Sequence, residues 1–478
     1  MEIMKTEAIK PSSPTPIHLT NVNLSLMDQF SPAEAYISRV LFFFINGTKH
    51  QDISHLLKTS LSETLKTFYP FAGRVKNNKV IECNDAGAIF VEAISDSDLH
   101  RFLQNPEIND QLTLKKLIPL QDQYRGTLLL VQATNFACGG LALGVCISHK
   151  IADASSLCTF LQFWSRATTA ALGSNPLVEE DPEKRPLFNA GTIFPPRDNL
   201  PFSTSGIKLK MEKCVTKRFV FSASNINLLK AKSAGKTIEN RTGVEAVTAL
   251  IWRCGVKASR STRWKEVNRT ALVQAVNIRK RMVPVMPENT IGNVLGHCLS
   301  MGEEGGIELD SLVIQMRKGM KEFNENYLKK VQTGDVFLAV CESFKEMGSL
   351  LKGELCCTDT DVDVKTKMET EIETDRDTST KCRNTAKKEC LCNIEGGNLD
   401  VYIVSSWCRF PFYELDFGWG KPTWFAAIEA PFKNVISLMD TRNGDGIEAW
   451  ITLTEEEMTF FQQDQELLAF ASFNPSIY

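Results

Sequence analysis

Apolar positions recur along the chain with two periods, and the switches between them divide it into elements. Leu56, Leu57, Leu61, Leu65 and Phe68 fall at helical spacing, and Tyr69-Pro70-Phe71-Ala72-Gly73-Arg74 then stops that helix, because proline disfavours helical backbone before it. Lys79 to Cys83 and Ala88 to Ala93 alternate or run apolar around Asn84-Asp85-Ala86-Gly87, which predicts a hairpin. Thr127 to Ala133 and Leu141 to Ser148 read as two more strands, joined through Cys138-Gly139-Gly140. From Asp153 onward Leu157, Phe160, Leu161 and Trp164 share a helical face, and Asp153 stands where an N-cap belongs.

Between Gly173 and Lys213 no period survives and prolines accumulate, which marks a crossover. Beyond it come a strand at Arg218 to Phe221, a helix from about Ser224, and a helix announced by Thr242 and Glu245 as a capping box. A strand at Ala271 to Val276 leads into Asn277-Ile278-Arg279-Lys280-Arg281. Leu309, Leu312, Val313, Met316, Met320 and Phe323 mark a long amphipathic helix, and Phe337 to Leu351 another. The close reads as strands at Leu399 to Ser405, Trp424 to Glu429, Val435 to Met439 and Ile447 to Leu453, with an Asn443-Gly444 turn and a last helix capped by Thr454 and Glu457.

Strands and helices are mixed in both halves without strict alternation, which predicts an α/β protein of two mixed-sheet lobes. A length of 478 residues agrees, being more than one core usually serves. The expected divisions are a first lobe over 1–173, a crossover over 174–213 and a second lobe over 214–478. One stretch breaks the pattern. Residues 354–395 are crowded with Thr, Asp, Glu and Lys and look inserted, as a disordered surface loop or a retained non-coding segment would. Its Cys356-Cys357 and Cys390-Leu391-Cys392 lack the spacing of a structural zinc site, so no metal is expected.

Composition changes the picture mainly by exclusion. Apolar content of 43%, charged content of 23% and a formal charge of −3 leave no electrostatic footprint for nucleic acid or an anionic membrane. The densest apolar run, Val40 to Ile45, is too short to span a bilayer, and the first ten residues lack a signal-peptide core. A cytoplasmic protein is expected, with the 14 cysteines reduced and mostly in the core.

The candidate chemistry lies at Ile147-Ser148-His149-Lys150-Ile151-Ala152-Asp153, where a strand ends on a histidine just before a helix. Taking a proton from a hydroxyl or amine needs a base titrating near working pH, and a strand end holds such a group rigidly while facing it outward. Asp153 has a plainer role, since an N-cap carboxylate stabilises a helix by about 1 kcal/mol.

His149 to Asp153 matches the HxxxD motif of the plant BAHD acyltransferases, and Asp416-Phe417-Gly418-Trp419-Gly420 matches their DFGWG signature. The pair is specific, and the resemblance extends through Gln274 to Arg279, Gly292-Asn293, Ser406 to Arg409 and Asp440 to Arg442, closest to an alkaloid acetyltransferase branch. It implies two chloramphenicol-acetyltransferase-like lobes with a channel between them, and no permanently bound cofactor. The co-substrate would be acyl-CoA, with acetyl-CoA favoured, and the acceptor a small alcohol or amine. It also implies a monomer with His149 as general base and no acyl-enzyme. Asp153 would be structural, paired with an arginine of the segment holding Arg279 and Arg281. Asp416 is a second catalytic candidate, although Gly418 and Gly420 around Trp419 read as a packed turn and favour a structural role. Asn289 departs from the aromatic usual there. Ser148 and Ala154 argue against a carrier-protein-dependent condensing enzyme, which would carry a paired histidine and a glycine. The remaining alternative is a catalytically silent homologue acting as a binding or regulatory protein.

Overall fold

Leu129–Phe136 (β7) and Leu141–Ser148 (β8) are eight-residue runs in which every residue is buried, the pattern of strands covered on both faces. They form the centre of a six-stranded sheet. The computed structural model describes residues 1–45, 50–105, 111–173, 185–200, 208–209, 213–232, 240–262, 269–302, 307–351, 355–356, 399–428 and 432–477. The first sheet runs β1 (Glu2–Ile9), β6 (Ala88–Ser95), β7, β8, β3 (Tyr36–Phe43) and β15 (Trp424–Ala427), antiparallel throughout except for the β6–β7 pair. Helices His50–Thr67 and Ala154–Ala171 pack together in this lobe's core, where Phe68 meets Phe160 at 5.4 Å and the Trp164 indole N–H donates to Ser60 at 3.1 Å.

The second sheet orders β12 (Leu295–Met301), β11 (Arg269–Asn277), β14 (Leu399–Ser406), β16 (Val435–Asp440), β17 (Ile447–Thr454), β10 (Cys214–Phe221) and β18 (Ser472–Phe473). The β11–β14 and β14–β16 pairs are parallel and the rest antiparallel, so both lobes are mixed-sheet α/β, as expected. Helix Gly243–Thr262 starts at the predicted capping box, where the Glu245 carboxylate accepts from Thr242 N at 2.8 Å and Thr242 Oγ1 accepts from Glu245 N at 3.1 Å. Leu309–Glu322 continues through a wide π turn at Phe323–Leu328, and Val336–Leu351 follows.

Two features depart from the sequence reading. The predicted hairpin does not form: Val80–Glu82 (β5) pairs with Asn21–Asn23 (β2) and Arg74–Lys76 (β4) in a small sheet of its own, while β6 joins the main sheet. Asp85 (φ 53°) and Gly87 (φ 93°) redirect the chain, and the Asp85 carboxylate takes Thr15 N and Oγ1 at 2.9 and 2.6 Å instead of closing a turn.

The second departure is at the lobe boundary. Residues 407–427, within the expected second lobe, cross to the first, where Trp407, Phe412, Leu415, Phe417, Trp424 and Phe425 join its core and β15 extends its sheet. Trp424 stacks on Phe42 at 5.2 Å and on Trp450 at 5.8 Å, and its indole N–H donates to Glu448 at 3.3 Å, beside Arg218 at 3.5 Å from the same carboxylate. An aromatic side chain thus closes the lobe junction and keeps its one polar atom satisfied.

Of the crossover, residues 185–200 are described; they run beside the loop before β12, with Leu187 N donating to Asn289 O at 2.9 Å and Asn289 Nδ2 to Arg185 O at 2.5 Å. The stretch 354–395 lies outside the described residues apart from Leu355–Cys356 (β13), which pairs with Lys208–Leu209 (β9).

Candidate active site

Strand alternation sets the direction of His149. It follows Ser148, the last residue of β8, and has the parity of Val145 and Ile147. Its N–H donates to Ala35 O at 2.8 Å, which carries the antiparallel pairing one step past the strand and fixes the backbone.

The ring is fixed by a residue 144 positions away. His149 Nδ1 lies 3.0 Å from Asn293 Oδ1. Asn293 Nδ2 spends both hydrogens, donating to Asp28 Oδ1 at 2.7 Å and to His149 O at 2.6 Å. The reverse amide orientation would set its oxygen against a carboxylate and a carbonyl. Oδ1 therefore accepts, Nδ1 carries the proton, and Nε2 keeps its lone pair. Burial pushes the His149 pKa below its ordinary value, against the opposing bond from Asn293, so the ring is neutral at neutral pH. This is the protonation state and tautomer of a base.

Asn293 is itself held. Its N–H donates to Asp28 Oδ1 at 2.7 Å, and Asp28 Oδ2 accepts from Ser25 N at 2.7 Å in a capping box that starts helix Leu26–Phe30. Burial raises the Asp28 pKa even against these donors. Lys150 anchors the other end of the same short helix, its Nζ donating to Asp28 O at 3.3 Å, Gln29 O at 2.9 Å and Asn78 Oδ1 at 2.5 Å. With neutral acceptors and little water around it, Lys150 is pushed down to about 8.

Asp153 caps helix Ala154–Ala171 by accepting from Ser156 N at 2.9 Å, as expected. It also makes a two-pronged pair with Arg279, at 2.7 and 3.1 Å, and accepts from Val294 N at 3.2 Å. Burial raises its pKa, but the Arg279 charge and these bonds outweigh that and hold it below the usual carboxylate range. Arg279, fully buried, donates further to Thr290 O and Gly292 O, so the pair clamps the loop that presents Asn293. Gly292 belongs at this clamp: its φ is 129°, and a Cβ would meet Ala190 at 3.0 Å. Arg281 instead reaches Asn324 at the surface.

Asp416 is elsewhere. It is exposed, and its Oδ1 accepts from Gly418 N at 2.7 Å and Gly420 N at 3.0 Å, with φ of 98° and 106° at the two glycines. Thr169 donates to Asp416 O at 2.9 Å, and Trp419 lies edge-on to Phe43 at 6.2 Å. Thr169 belongs to the C-terminal turn of the helix that Asp153 starts, about 24 Å along its axis at 1.5 Å per residue. The structure therefore brings together His149, Asp153 and Arg279, and sets the loop of Asp416, Gly418, Trp419 and Gly420 at the far end.

The sequence reading missed the function of Asn293 and Asp28. Ser25-Leu26-Met27-Asp28 has the capping-box pattern, which is a signal for the helix but not for its partner across the chain. His297 stands within electrostatic reach of His149 and is pushed down to about 4, first by burial and then by that histidine. No group of side chains able to hold a metal ion occurs among the described residues, and none of their helices is long and apolar enough to cross a membrane.

Known proteins share this arrangement of chain. The Transferase family profile matches residues 1–347 and 344–468. Akuammiline synthase 1 of Alstonia scholaris is 36% identical over 468 residues, covering 97% of this chain and 96% of its own. Stemmadenine O-acetyltransferase of Catharanthus roseus is 32% identical over 478 residues, with 97% and 96% covered. The crystal structure of vinorine synthase superposes with a TM-score of 0.73 at 29% identity, covering 100% of both chains.

Proposed function

As the chain belongs to the Transferase family, that of the BAHD acyltransferases of plant specialised metabolism, we propose that it moves an acetyl group from acetyl-CoA to a hydroxyl or amine, with His149 as general base. The observation that carries this reading is the Asn293 bond to Nδ1, which leaves Nε2 as the basic atom. Nε2 takes the acceptor's proton while the acceptor oxygen or nitrogen attacks the thioester carbonyl. The tetrahedral intermediate collapses by breaking the C–S bond, and the imidazolium returns its proton to the departing thiolate, giving ester or amide and free CoA. No acyl-enzyme forms, because among the described residues His149 has no serine or cysteine as a ring partner and so activates no protein nucleophile.

Asp153, Arg279 and Asn293 position the base, and the Asp416 loop shapes the fold rather than the reaction. Acyl-CoA and acceptor meet at the junction of the lobes, where His149 of the first bonds Asn293 of the second. The protein works as a cytoplasmic monomer. The test is the purified chain with acetyl-CoA and a panel of alcohols and amines, following CoA thiol release and product mass. Transfer that disappears in His149→Ala is expected. Absence of product with every acceptor, or full rate in His149→Ala, would sink the reading.

A further inference from the structure

Arg39 is a cation that the mechanism above does not use. It lies on β3, is only 6% exposed and has no carboxylate among the described residues. One Nη donates to Ser38 O at 2.8 Å, the guanidinium lies 3.9 Å from the centre of the Trp407 ring, and the buried Nε has no hydrogen-bond partner among the described residues. Burial alone pushes its pKa down to about 9, so it stays charged at neutral pH. A buried charge without a counter-charge is costly, and an unsatisfied buried donor calls for an explanation.

Its position says where a partner belongs. Arg39 pairs in register with Val145 of β8, and His149, four residues on, has the same parity. The two side chains share a face of the sheet, and the Arg39 charge is among those acting on His149. At about 3.3 Å per residue the offset is roughly 13 Å, too far for the guanidinium to reach the thioester oxygen but within the span of a substrate. Trp407, the surface beneath the guanidinium, immediately follows β14 of the second lobe, so Arg39 stands at the same lobe junction as His149.

We propose that Arg39 anchors a carboxylate carried by the substrate at a distance from the reacting carbonyl. One face is covered by Trp407 and one Nη is committed to Ser38, which leaves the Nε edge, and a planar carboxylate matches such an edge. A phosphate dianion carries more charge than one guanidinium balances, so a carboxylate is the closer match. The inference rests on His149 being the transfer site. With acetyl-CoA as donor the carboxylate belongs to the acceptor; with a dicarboxylic acyl group it belongs to the donor.

Two arms separate these sources. In the first, acceptors bearing a carboxylate are compared with their methyl esters, using acetyl-CoA. In the second, malonyl-CoA is compared with acetyl-CoA on one neutral acceptor. The wild type should favour the carboxylate in one arm, and Arg39→Met should cut that preference by about 10- to 100-fold, leaving the neutral substrate within a few-fold. Arg39→Lys should restore part of it, which also covers the case in which the methionine variant does not fold. An unchanged ratio in both arms, or an equal loss for all substrates, overturns the proposal. If no transfer is found at all, the transfer reading fails separately; calorimetric binding of malonate or malonyl-CoA by wild type and not by Arg39→Met still decides for Arg39, and equal binding decides against it.

Discussion

The two aspartates of the two sequence signatures sit at opposite ends of one helix. Asp153, at its start, is buried and takes Arg279, Ser156 and Val294; Asp416, against its last turn, is exposed and takes two backbone N–H groups of its own loop. Both are spent on contacts within the protein, but only the first is linked to His149, through the loop carrying Asn293. A motif that is equally recognisable as sequence can therefore hold the site together or merely close a turn.

Mutation should widen that contrast. Asp153→Ala leaves the Arg279 charge buried without a partner and should cost about 3–5 kcal/mol of stability in chemical denaturation; a loss under 1 kcal/mol would break the comparison. Because the folded-state pKa of Asp153 is lowered, its contribution is present above the unfolded value near 3.8 and is lost as pH falls below it, so the gap between wild type and Asp153→Ala should narrow in acid. His149→Ala should lower the transfer rate by on the order of 10²–10⁴-fold with unfolding unchanged.

Asn293→Ala keeps the base but frees its tautomer, for an expected loss of about 10- to 100-fold in kcat at unchanged KM. Wild-type rate should rise with pH below the ordinary histidine range and level off by neutrality. Removing Asn293 takes away a bond that favours the charged ring, so the rising limb should move to still lower pH. A limb moving upward would contradict the assignment. Smallest of all, Asp416→Ala should cost about 1 kcal/mol of stability with kcat within about two-fold of wild type; a hundred-fold fall in kcat in a stable variant would return Asp416 to the chemistry.

Local signals carried much of this. The caps at Asp153, Thr242 and Thr454 were legible because the donor and acceptor lie three residues apart, and the helical faces because their period is short. His149 drew attention as a strand-end histidine, while the pairing of Asp153 with the Arg279 segment came from resemblance. What could not be read were contacts between distant parts of the chain: Asn293 meets Asp28 across 265 positions, and no pattern in either segment names the other. The misread hairpin has a local cause, since Asp85 and Gly87 carry turn chemistry whichever way the turn leads. Arg39 was passed over because a lone arginine in an apolar strand reads as an interruption until its surroundings are known.

Strand β15 imposes an order on biogenesis. The first sheet is complete only when Trp424–Ala427 pairs with β3, and that segment is synthesised long after β3. At about 5–20 residues per second, β3 waits on the order of tens of seconds with its backbone edge open and Phe42 uncovered on the nascent chain. The first lobe's sheet thus waits on a segment from the far half of the chain before it is complete. A chain ending before Trp424 is expected to be captured by chaperones or to aggregate through that edge, whatever the integrity of His149.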